Sequence, residues 1–157
     1  MRKDLARALL LLLGLAVLSG CSERHDSSMR PGSNCMTCHD GAAAPRWSVA
    51  GTVFPCAQAD VGAGVDGVTV VITDAAGTDL LRLTTNAVGN FYSVIPLPPS
   101  IRASVQRNGT RQTMPAAQSL GECNSCHAIP AQGGAAGRVY IDSASCGAAG
   151  APGLGGN

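Results

Sequence analysis

Two copies of one pentapeptide, Cys35-Met36-Thr37-Cys38-His39 and Cys123-Asn124-Ser125-Cys126-His127, constrain this chain more than anything else in it. Cysteines three residues apart, followed at once by histidine, are the attachment pattern of haem c. Each thiol forms a thioether to one vinyl group, and the His lies beneath the iron. With 7 cysteines and 3 histidines in 157 residues, a chance CxxCH is expected about 0.006 times, so the repeat implies chemistry. Two haem c groups are the first expectation. CxxC…CxxC is also a zinc pattern, and CxxC alone a redox or disulfide pattern.

The N-terminus bears on that choice. Met1-Arg2-Lys3 and Arg7 precede a mostly apolar run from Leu5 to Leu18, with Leu9 to Leu13 unbroken. A short apolar run with a basic front end is a secretory signal, too short for a membrane span. Residues 1–20 are therefore read as a signal segment. Leu18-Ser19-Gly20-Cys21 resembles the lipobox of bacterial lipoproteins. That resemblance implies cleavage before Cys21, lipidation of Cys21 and a membrane anchor without a spanning helix. Ser22, where that family uses Asp for the inner membrane, implies the outer membrane, on its periplasmic or cell-surface side. The plain alternative is an ordinary cleaved signal with a coincidental cysteine.

Export places the cysteines in an oxidising compartment, where spare thiols pair and four-thiolate zinc sites are uncommon. If Cys21 takes lipid and Cys35, Cys38, Cys123 and Cys126 take haem, Cys56 and Cys146 remain. A disulfide between them is expected; two unpaired thiols are the alternative.

Without residues 1–20 the chain keeps eight arginines, no lysine and nine acidic side chains. A nearly neutral surface argues against nucleic acid as a partner. Aromatic residues are few: Trp47, Phe54, Phe91, Tyr92 and Tyr140. So thin a core benefits from the apolar surface of haem and from a disulfide.

Ser22 to Ser33 is a polar tether (21–33 with its cysteine), and 34–46 the first haem-binding loop. Strand patterns follow. Trp47, Val49, Gly51 and Val53 alternate with Ser48, Ala50 and Thr52. Gly67 opens the β-branched run Val68 to Thr73, and Asp74-Ala75-Ala76-Gly77 is a turn. Leu81 and Leu83 alternate with Arg82 and Thr84, and Asn86 to Asn90 turns into a strand over 91–95. Ile101, Ala103 and Val105 alternate with polar residues, and Asn108-Gly109 is a hairpin signal before 110–114. Residues 115–146 hold the second haem loop and a closing strand at Arg138 to Ile141; 147–157 is a Gly-rich tail expected to be disordered. The predicted class is all-β: an antiparallel β-sandwich, transthyretin- or immunoglobulin-like, flanked by two haem-binding loops.

Gly51-Thr52-Val53, Val68 to Asp74 after Gly67, Thr85 to Phe91, Pro96 and Ile101 to Val105 resemble a carboxypeptidase regulatory-like domain. The resemblance covers roughly 47–114, implies a transthyretin-like, seven-stranded fold, and implies no peptidase, since the chain lacks an HExxH-type motif. With CxxCH on either side, the arrangement resembles small exported cytochromes of metal- and electrode-respiring bacteria.

His39 and His127 are the expected proximal ligands. Only His25 remains besides, so two bis-His haems cannot be built from one chain. Met114, nine residues before Cys123, is the first candidate for a distal position, with Met29 and His25 as weaker ones; a core methionine is the plain alternative for Met114. A His/Met haem has a higher potential than a bis-His haem, so at least one high-potential haem is expected. No cluster of catalytic acids, bases or nucleophiles is evident, so a non-enzymatic electron carrier is expected, with redox proteins or other cytochromes as partners. A dihaem peroxidase is disfavoured because His25 is poorly placed as a distal acid–base group. The other alternative is a haem-free binding lipoprotein whose CxxC motifs hold zinc or disulfides.

Overall fold

The β-branched run after Gly67 forms the centre of one sheet, and the alternating segment after Trp47 forms the centre of another. The computed structural model describes residue 21, residues 26–42 and 44–143, and residue 146. The expected signal segment, His25 and the tail from 147 lie outside the described residues.

Seven strands are described: β1 (Val49–Cys56), β2 (Thr69–Asp74), β3 (Asp79–Thr84), β4 (Asn90–Ser93), β5 (Ile101–Arg107), β6 (Thr110–Thr113) and β7 (Val139–Ser143). They form a three-stranded sheet, β4-β1-β7, and a four-stranded sheet, β3-β2-β5-β6. The β5–β6 hairpin turns at Asn108 and Gly109, both at positive φ (48° and 81°), the left-handed pair that a two-residue hairpin turn requires. The fold is thus the all-β sandwich expected, with one correction. The pairing is not antiparallel throughout, because β7 runs parallel to β1 (Val53 beside Val139, Phe54 beside Tyr140). Parallel strands need a long crossover, and the chain from β1 to β7 contains the whole second sheet and the second CxxCH motif.

The core lies between the sheets. Val49, Val53, Phe91 and Ile141 meet Val68, Val70, Ile72, Ile101 and Val105. A smaller cluster joins Phe54, Cys56 and Ala59. The buried Arg138 covers it, with its guanidinium 4.4 Å from the Phe54 ring centre and Nε donating to the Ala59 carbonyl at 2.7 Å. Cys56 and Cys146 are joined by a disulfide. Among the described residues no helix is long and apolar enough to cross a membrane.

β1 departs from its sequence pattern. Alternation predicts one buried and one wet face, yet Val49 to Phe54 are all buried. The second face is covered by the segments that carry the two CxxCH motifs. Residues 26–33, expected as a plain tether, lie on it as a strap. Gly32 N donates to Thr52 Oγ1 at 2.8 Å, Asn90 Nδ2 donates to the Met29 carbonyl at 2.8 Å, and Asn86 Nδ2 bonds the Ser27 carbonyl. Polar side chains on β1, on β4 and in the turn before β4 thus supply partners for a strap with no periodicity of its own.

Candidate functional site: two CxxCH turns on one strand

Both pentapeptides wind into one turn of helix. Cys35–Thr37 is a 3-10 turn capped by Asn34, whose side chain accepts from Thr37 N. Cys123–Cys126 is a single α-turn, α1, capped by Glu122, whose side chain accepts from Asn124 N. In each, the histidine N–H returns to the carbonyl of the first cysteine, at 3.1 Å for His39 and 2.9 Å for His127. Residues three and four apart on such a turn share a face, so the two cysteines and the following histidine of each motif lie on one side.

The histidines are held differently. His127 Nδ1 lies 2.9 Å from the Gly137 carbonyl. A carbonyl only accepts, so Nδ1 carries the proton and the Nε2 lone pair is left for a ligand, the usual arrangement of a metal-binding imidazole. His39 is fixed by stacking. Its ring lies on Trp47 (centres 3.4 Å apart, 9° between planes), and Trp47 lies on Tyr92 (4.2 Å, 9°). Tyr92 is 44% exposed, so the stack runs from the motif to the surface. His39 Nδ1 is buried without a hydrogen-bond partner.

The two motifs meet. Glu122 Oε2 accepts from Met36 N at 2.8 Å, while Oε1 caps α1 at 3.1 Å. Asn124 Nδ2 donates to the Ser33 carbonyl at 2.8 Å and contacts Cys35 Sγ at 3.9 Å. Its Oδ1 accepts from Thr52 N at 3.1 Å. One carboxylate and one amide therefore tie the first motif, the second motif and β1 together. The second motif also takes over the edge of β1 where β7 stops: Ala50 N donates to the Gly121 carbonyl at 2.9 Å. Gly51 is bare for a reason, since a Cβ there would lie 2.8 Å from Phe91 and 2.9 Å from the Cys123 Cβ.

Burial, and next the negative charge of Glu122, push the Cys35 and Cys123 thiols up to about 12. They are thiols at neutral pH. Among the described residues no three His, Cys, Asp or Glu side chains converge on a metal position. Glu122 itself is raised above the usual carboxylate range by burial, opposed by the N–H groups of Met36, Asn124 and Cys35. A carboxyl with a raised folded-state pKa stabilises the fold below its unfolded value of about 4.3, and loses that contribution as pH rises through the raised value. Compared with Glu122→Gln, the native chain is expected to lose stability from about pH 4 towards neutrality. Urea midpoints across that range check it; parallel curves would contradict it.

A cleft of about 230 Å³ opens beside the first motif, lined by Cys35, Cys38, His39, Trp47, Tyr92 and Met29 among others. Small-molecule pockets run roughly 300–1,000 Å³, so a porphyrin here would lie partly outside the cleft. Met29, the weaker distal candidate, lines it; Met114, the first candidate, does not. Met114 is half-buried at the end of β6, with its N–H on the Ala103 carbonyl.

One pairing differs from the sequence reading. Cys21 and Cys38 form a disulfide, with Cα atoms 5.7 Å apart. A sulfur so bonded can hold neither a lipid nor a thioether at the same time, so this disulfide competes with the lipid expected on Cys21 and the haem bond expected on Cys38. The physical reason is proximity: the strap at 26–33 lies on β1 beside the first motif, which places Cys21 within reach of Cys38. Cys35, Cys123 and Cys126 keep free thiols. The two disulfides fit an oxidising, exported environment.

Sequence reasoning did not single out Glu122, Asn124, Tyr92 or Thr52. Asn124 occupies a variable position of the motif, and of the two residues that precede the turns Asn34 is a readable cap while Glu122 is not among the usual capping residues. The chain matches no family model, no curated protein and no solved structure.

Proposed function

We propose that the chain is a dihaem c-type cytochrome, a non-enzymatic electron carrier anchored to the outer membrane through lipid on Cys21. Haem attaches at Cys35 and Cys38 with His39 beneath it, and at Cys123 and Cys126 with His127 beneath it. The observation that carries this reading is the His127 ring, whose Nδ1 is occupied by the Gly137 carbonyl so that the Nε2 lone pair is left for a ligand. The same turn built twice supports it.

The residues of the second motif fit the group: two free thiols and an oriented imidazole. The first fits once Cys21 is lipidated, because that frees Cys38. The bound haem would supply one-electron exchange between Fe(III) and Fe(II). The chain's part is to orient His127 through Gly137 and to brace His39 against Trp47. Met29 is the distal candidate for the first haem, from its place in the His39 cleft. Redox proteins or other cytochromes are the implied partners.

The Cys21–Cys38 disulfide favours a second reading, a haem-free exported sandwich stapled by disulfides. One experiment separates them. Residues 21–157 carrying Cys21→Ser are produced in a periplasm that attaches haem c, and intact mass and reduced-minus-oxidised spectra are recorded. The expected result is a mass gain of two haems with a c-type band, falling to one haem in Cys123→Ala/Cys126→Ala. No haem in a competent host would give the second reading the field.

A further inference from the structure

Glu122 and Asn124 do more than shape the second turn. These two side chains reach directly across between the motifs, to Met36 N and to the Ser33 carbonyl. Both are buried, at 3% exposure each, so the bonds are sheltered from competing water. They also bring the leading cysteines together: Asn124 touches Cys35 Sγ, and it follows Cys123 directly in the chain. Gly51 keeps β1 bare where Cys123 packs, so nothing bulky from the strand intrudes.

We infer that Glu122 and Asn124 are positioning residues that lock the two CxxCH turns into one unit, so that haems attached to them sit side by side and exchange electrons directly. The inference rests on the dihaem reading and deepens it: the protein works as a coupled pair, not as two independent carriers. Bound haems held in this way would supply one-electron exchange in which one iron goes from Fe(II) to Fe(III) and the other from Fe(III) to Fe(II), leaving the pair as a whole unchanged. No proton or further reactant is needed.

The two residues divide the work differently. Asn124→Asp keeps an acceptor for Thr52 N, and so keeps the second motif on β1, but loses the donor to Ser33. Glu122→Gln keeps one acceptor oxygen, enough to cap α1, and lacks the second that Met36 N requires. Both variants leave the cysteines and histidines in place.

The test uses the haem-loaded chain with Cys21→Ser. Intact mass counts the haems, and circular dichroism in the Soret band reports whether two porphyrins are coupled. The expected result is two haems and a two-signed Soret couplet. In Asn124→Asp the couplet should drop at least threefold while both haems and the c-type band remain. Glu122→Gln should act in the same direction, and Gln112→Glu, on the exposed-edge strand β6, should leave the couplet unchanged. Two haems with a single-signed Soret band in the native sequence would overturn the inference and leave the dihaem reading standing. Fewer than two haems would overturn the dihaem reading itself. A couplet that survives both variants would show that β1 alone sets the spacing and would remove the role assigned to Glu122 and Asn124.

Discussion

Gly121→Ala is expected to unseat the second attachment turn and to lower stability by about 3 kcal/mol or more. A Cβ at Gly121 would run into the Ser48 carbonyl oxygen and lie 3.1 Å from the Val49 Cα. Both obstacles are backbone of the strand entry, so neither can rotate away as a side chain would. The 121 carbonyl is also the partner of Ala50 N. Relief requires the loop to lift off β1, which strands that N–H and carries Glu122 and Asn124 with it. In a mature chain of this size, thermal unfolding should fall by about 10 °C, and haem attachment at the second motif should decline relative to the first. Gly62→Ala is the matched control, because nothing lies within 4 Å of the added methyl; it should change stability by less than about 0.5 kcal/mol. Equal melting temperatures for the two variants would show that the loop approaches β1 less closely than described.

Removing the Cys56–Cys146 disulfide should cost a comparable amount by a different route. The bond spans 90 residues, enclosing every strand after β1. In the chain-entropy account a loop of that length restricts the unfolded ensemble by about 4–5 kcal/mol, against roughly 2–4 kcal/mol found typically. Cys56→Ala/Cys146→Ala is therefore expected to lose about 3 kcal/mol by urea unfolding. Dithiothreitol should bring the native sequence, with Cys21→Ser to remove the second disulfide, down to the same level. Thioethers are not reduced by it, so the comparison holds for the haem-loaded protein. A double variant as stable as its parent would mean that Cys146 docks without constraining the chain.

The strands were readable from sequence because each carries its own signal. Val70 and Ile72 point one way from a β-branched run, Ile101 and Val105 alternate cleanly, and Asn108-Gly109 between two such runs supplies a tight hairpin. What could not be read depends on segments far apart in the chain. β1 looks half-wet because Ala50, Thr52 and Phe54 are covered by residues about 20 and 70 positions away. The parallel seating of β7 leaves no local mark, since Val139-Tyr140-Ile141 would suit either direction.

The site divides along the same line. The CxxCH turns, their histidines and the Cys56–Cys146 pairing were visible as motifs and by counting. The Cys21–Cys38 disulfide was hidden because each sulfur already had a motif-based assignment. The clamp at Glu122 and Asn124 was hidden because its partners are backbone groups, Met36 N and the Ser33 carbonyl, which no side-chain pattern reveals. On sequence Met114 ranks first because nine residues to Cys123 are enough chain to cross a porphyrin face; the cleft beside His39 is lined by Met29 and not by Met114, because residues 26–33 lie on β1 and β4 while β6 lies at the edge of the other sheet.

The second CxxCH turn occupies half of one edge of β1, with β7 on the other half. Until residues 121–143 arrive, that edge is a row of unpaired backbone groups flanked by Val49, Val53 and Phe54, the kind of template on which strands from other chains add. A chain emerging N-terminus first carries this adhesive edge for as long as its last quarter is missing. Seating the second motif thus also ends the period in which the protein is prone to aggregate, and truncation before residue 121 should yield insoluble material even though six of its strands are complete.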